Sequence, residues 1–64
     1  MRAVVVSGPA GLDPAWVDQA ADAVLSGNRL VVEGPVHLRP DLEILMESPG
    51  LWVARKISGR PGGA

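Results

Sequence analysis

The sequence predicts a small α/β (or α+β) domain with a three-stranded sheet around one β-α-β unit. Two observations carry this expectation. A β-branched run over residues 2–7 and a second apolar run over residues 29–33 flank a stretch of helical periodicity. That stretch opens on Asp13-Pro14 and is followed by Gly27, residue types that start and stop helices.

In the first strand, Val4-Val5-Val6 shows no alternation and suits a strand covered on both faces, ended by the turn Ser7-Gly8-Pro9-Ala10-Gly11. The helix is expected over residues 14–26. Val17, Ala20, Ala21, Val24 and Leu25 form its apolar stripe, with Asp18, Gln19 and Asp22 on the opposite side and Trp16 at the stripe's edge. Leu30-Val31-Val32 makes the second strand, closed by Gly34-Pro35. Strand, helix and strand within about thirty residues imply parallel strands and a right-handed crossover.

Residues 40–47 admit two readings. As a helix, Leu38, Leu42, Leu45 and Met46 align on one side, Pro40 starts it and Pro49-Gly50 ends it. As a strand, Leu42, Ile44 and Met46 alternate with Asp41, Glu43 and Glu47, and Ser48-Pro49-Gly50 turns a hairpin into the next strand. Leu, Glu and Met favour the helix and Leu45 spoils the alternation, so the helix is preferred. Arg39 as a poor N-cap and the Glu43/Glu47 repulsion count against it. Residues 51–57 form the third strand. Residues 1–57 thus make one domain, and the Gly/Pro-rich segment 58–64 is expected to be a flexible tail.

A chain of 64 residues makes one domain at most. At this size folding buries only about 60% of the surface of the unfolded chain, so small domains usually need a disulfide, a metal or a partner. With no cysteine and His37 as the only histidine, disulfides are excluded and neither a metal site nor a cofactor is expected. Hydrophobic residues nevertheless make up 47% of the chain. Association with other chains is therefore the expected source of stability, and the net charge of −1 gives no global attraction to nucleic acid or to an anionic membrane. No apolar run is long enough to span a bilayer, and without cysteine or an export signal the expected location is cytoplasmic.

Four groups of residues are candidates for function. Trp16, Trp52, Leu51, Ile44 and Met46 are more large apolar groups than so small a sheet and helix can cover, and form the expected interface, with a second copy or another protein as partner. The alternative for both tryptophans is a place in the core. Arg55, Lys56 and Arg60 make a locally basic segment in which Gly59-Arg60-Pro61 matches the centre of a minor-groove hook without its basic flanks, so nucleic-acid contact would be weak and salt-sensitive.

The third group is the strand-end turn. Ser7, Gly8 and Gly11, with Glu33 and His37 beyond the second strand, could line a ligand or phosphate crevice. The turn lacks the Lys-Ser/Thr of a P-loop and the three spaced glycines of a dinucleotide fold, and Asp13 places a carboxylate at the helix start. Glu33 and His37 are a candidate acid/base couple, and on an unbroken strand they would stand about 13 Å apart. Last, Asp41, Glu43 and Glu47 read as a solvated acidic face. None of the serines sits in a nucleophile elbow, so no catalytic residue is assigned and an enzyme acting alone is the least favoured reading.

Overall fold

A computed structural model describes residues 3–57. Ala3–Val6 forms β1, Gly8–Leu12 a 3-10 turn, Pro14–Ala23 the helix α1, Arg29–Val32 β2, Leu42–Ser48 β3 and Leu51–Lys56 β4. The class is α+β, with one helix and a four-stranded mixed sheet in the order β1-β2-β4-β3. β1 and β2 are parallel, with α1 between them in the chain, and β4 runs antiparallel to both β2 and β3. The three-stranded sheet expected from the sequence is thus short by one strand.

The extra strand is the segment read as a helix. Residues 40–47 do not form one; Leu42–Ser48 pairs with β4 in a hairpin closed by Pro49-Gly50, where Gly50 has φ 81°. Proline before a glycine at positive φ is the pairing a tight type II turn favours. Leu45, which broke the alternation, is the extra residue of a β-bulge: the register passes from Ile44↔Ala54 directly to Met46↔Val53. The bulge absorbs the phase error that made the segment resemble a helix.

α1 begins as expected. Asp13 Oδ1 accepts from Ala15 N–H at 3.0 Å and Pro14 holds the first position. It ends three residues early, because Val24 turns extended (φ −76°, ψ 128°) and drives its side chain into the core. Leu25, assigned to the apolar stripe, is consequently 72% exposed. Gly27 keeps its positive φ of 88° but serves the next turn, donating its N–H to Lys56 C=O at 2.7 Å.

The core lies between α1 and one face of the sheet. Val17, Ala21 and Val24 of the helix segment meet Val6, Leu30, Val32, Leu42, Trp52 and Ala54. No second layer covers the other face among the described residues. The expectation that β1 is buried on both faces is therefore overturned: β1 is an edge strand, and Val5 is 64% exposed. Residues 58–64 lie outside the described residues.

Candidate interaction surface

The uncovered face of the sheet is built by register. Val5 pairs with Val31, Val31 with Val53, and Val53 with Met46, so one apolar row crosses all four strands. Beside it, Ala3, Arg29, Arg55 and Glu43 form a second row on the same face. Arg55 donates to Glu43 Oε1 at 2.6 Å, whereas Arg29 stands opposite Arg55 with no ion pair among the described residues.

The same surface continues round the β1 edge. An open groove of about 480 Å³ runs between β1 and α1, lined chiefly by Val4, Val6, Ala10, Trp16, Gln19 and Ala20, and no lining residue is charged. Trp16 is 56% exposed at its rim.

The interface residues named from sequence separate. Trp16 borders the groove and Met46 ends the apolar row, while Leu51 is half-buried at the start of β4. Ile44 packs against the core, and Trp52 lies inside it with no exposed surface, where only the core alternative accommodates it. Trp52 pairs laterally with Val32 and so faces the helix, which is why it is buried while Val53 beside it is not.

The basic set separates too. Arg55 and Lys56 alternate on β4, so Arg55 points to the uncovered face and Lys56 to the helix. Lys56 is buried; its Nζ donates to Ala21 C=O at 2.6 Å and lies 3.3 Å from Asp41 Oδ2. It satisfies one of the last carbonyls of α1, where a cation also complements the helix dipole. Arg60 lies outside the described residues.

The strand-end crevice is closed by the chain itself. Glu33 N–H donates to Val6 C=O at 2.9 Å, and the backbones of Gly11 and Gly34 pack so tightly that a Cβ on either would overlap a carbonyl of the other segment. Ser7 and Gly8 are exposed beside this contact, and the Asp13 carboxylate caps the helix that an anion would need. His37 is drawn elsewhere, its Nε2 lying 2.8 Å from Asp18 Oδ1, and no hydrogen bond joins it to Glu33.

That contact belongs to an ionic cluster that sequence reasoning missed. Arg39 donates from Nε to Asp41 Oδ1 and from Nη2 to Asp41 Oδ2, both at 2.8 Å. It also reaches Asp22 Oδ1 at 2.8 Å and the carbonyl and carboxylate of Asp18, each at 3.1 Å. Asp18 and Asp22 stand one helical turn apart, so one guanidinium ties the polar face of α1 to the segment entering β3. The pairing of aspartates at that spacing was the only signal, and it named no partner.

Hydrogen bonding from Arg39, and then from Lys56, holds the Asp41 carboxyl at about 2, below its ordinary 3.8. The hydrogen bond from His37 is the main cause lowering Asp18, with Arg39 adding to it. Both folded-state values are depressed, so the stability they contribute is present above the unfolded carboxylate range and is lost as pH falls through the folded values. For Asp41, which is only 15% exposed, the contribution is ~2 kcal/mol, lost between about pH 4 and pH 2. Urea midpoints should fall over that window, and Asp41→Asn should flatten the decline while lowering stability at neutral pH. A variant with an unchanged acid limb would show that Asp41 is not the group responsible.

Comparison with known proteins adds no relative. No family model matches the chain, and no characterised protein or solved structure is significantly similar to it. Among the described residues no helix is long and apolar enough to cross a membrane, and no cluster of His, Asp and Glu is arranged to hold a metal ion.

Proposed function

We propose that the chain is a small interaction protein, working as a homo-oligomer or as a subunit of a larger assembly. The observation that carries this reading is the apolar row Val5, Val31, Val53 and Met46 on a sheet face that none of the described residues covers. A mixed sheet with one solvated face ordinarily alternates polar residues outward. An apolar row there favours burial against another protein surface, with a free-energy gain of roughly 25 cal/mol per Å² of apolar area removed from water. Exposed Trp16, a residue type favoured as an interface anchor, extends the surface around the β1 edge.

Sedimentation over a concentration series, with native mass spectrometry of protein purified from its host, tests the reading. The expected mass is a multiple of 6.7 kDa, or a defined complex containing the chain. A monomer with a concentration-independent melt and no bound protein would overturn it.

A further inference from the structure

We propose that β1 is the seam of a two-fold homodimer, pairing antiparallel with β1 of a second copy about an axis through Val5. This rests on the association reading above and names its partner and geometry.

The first ground is the hydrogen-bonding direction of β1. Glu33 N–H bonds Val6 C=O, which turns the peptide groups of Val6 and Val4 toward β2. Strand alternation then turns those of Ala3 and Val5 to the free edge. Ser7 continues the extended backbone, with φ −138° and ψ 170°, and shares their outward phase. A two-fold axis at Val5 sets Val5 opposite itself and Ala3 opposite Ser7, each as a hydrogen-bonded pair. The Ser7 carbonyl already accepts within the 3-10 turn it caps, so the seam would form roughly four bonds, two between the Val5 residues and one from each Ser7 N–H to Ala3 C=O, with no donor opposing a donor.

The second ground is the side chains. In this register Val4 and Val6 of the second copy fall on the helix side, at the groove beneath Trp16, whose lining carries no charge. Self-pairing sets the residue on the axis against its own copy, and β1 and its groove carry no charge to repel there. Val5 beside its own copy joins the two apolar rows into one, running unbroken from Met46 to Met46 across both sheets.

The third ground is the contrast between the edges. β3 carries Glu43, Glu47 and the Leu45 bulge, the devices that keep an edge from pairing. β1 over Ala3–Val6 carries no charge, proline or bulge. One edge is blunted and the other is left open.

The test is a charge swap at the axis. Val5→Lys and Val5→Glu should each be folded by circular dichroism and shifted toward monomer in sedimentation, with the dimer dissociation constant raised about 10-fold or more, since like charges then face each other in place of two valines. Mixed one to one, the two variants should re-form a dimer of one copy of each. Glu47→Lys, exposed on β3 at the opposite edge of the sheet, should leave the dimer intact. Val5→Pro removes the outward donor and keeps the bonds that Val4 and Val6 make to β2, and should also give a monomer. In the wild type the Val5 amide should be protected from hydrogen exchange increasingly with concentration.

Persistent dimerisation of the Val5 variants, with loss in Val53→Lys on the open face, would overturn the seam and leave association through that face. A Val5 amide protected only in the presence of a different protein would assign the edge to a foreign strand and overturn self-pairing. A wild type that is monomeric at every concentration and binds nothing would overturn both readings.

Discussion

Gly11→Ala and Gly34→Ala should each cost about 3 kcal/mol, the upper part of the range for overpacking a closely packed site. Neither glycine is needed for its backbone angles, since positive φ among the described glycines occurs only at Gly8, Gly27 and Gly50. They are needed because the 3-10 turn after β1 and the loop after β2 touch through bare backbone. A Cβ on Gly11 would overlap the Glu33 carbonyl oxygen, and one on Gly34 would overlap that of Gly11. The obstructing atoms are main chain, so relief requires displacing a segment anchored by the bond from Glu33 N–H to Val6 C=O. Gly27→Ala is the control. Its φ of 88° penalises alanine, yet a Cβ there meets nothing within 4 Å, so the cost should be about 1 kcal/mol. Urea denaturation of the three variants gives the order directly. Equal midpoints for Gly11→Ala and Gly27→Ala would mean that the two turns do not meet as described.

These glycines also mark where sequence reasoning stopped. The helix start was legible in Asp13-Pro14 because capping is local chemistry, acting within a few residues. Parallel pairing of β1 with β2 followed from connection length. The helix end was not legible: Leu25 fits the periodic stripe, but Val24 is needed in the core and the chain turns there. β3 was misread because a bulge inserts one residue, and Leu45 shifts the alternation into something close to a helical period. Sheet order was hidden as well, because it is decided by which strand β4 joins, and β4 enters between β2 and β3. That placement makes β1 an edge and leaves Val5 outside.

The candidate surface was visible in outline only. An excess of apolar residues pointed to association, but which of them are outside depends on strand phase. Trp52 and Val53 are neighbours in sequence and face opposite sides of the sheet. The ionic cluster depended on a fold-back: Asp18 and Arg39 are 21 residues apart, and the loop after β2 brings them together. Arg39, an unpromising helix cap in sequence, proves to be the residue that fastens this loop.

Trp52→Ala should cost about 3–5 kcal/mol, the largest loss among these substitutions. At 0.05–0.15 kcal/mol per residue, a domain of this size has roughly 3–10 kcal/mol of stability, and truncating a buried Trp removes about 3–5. Trp52 has no exposed surface and belongs to the core with Leu30, Val32 and Val17, so its truncation opens a cavity among them. Trp16→Ala, at 56% exposure, should change the unfolding free energy by about half a kcal/mol or less when measured at dilution, where association does not contribute. Trp52→Phe separates packing from polarity. The indole Nε1 is buried without a hydrogen-bond partner among the described residues, a state that costs about 1–3 kcal/mol. Phenylalanine gives up some volume but removes that unpaired donor, so the two effects should nearly offset, leaving a net change of about 1 kcal/mol or less. Fluorescence supplies the reading: with Trp16 replaced, the remaining tryptophan should emit at short wavelength and shift red on unfolding. A Trp52→Phe variant as damaged as Trp52→Ala would show that Nε1 has a partner and that the site depends on it.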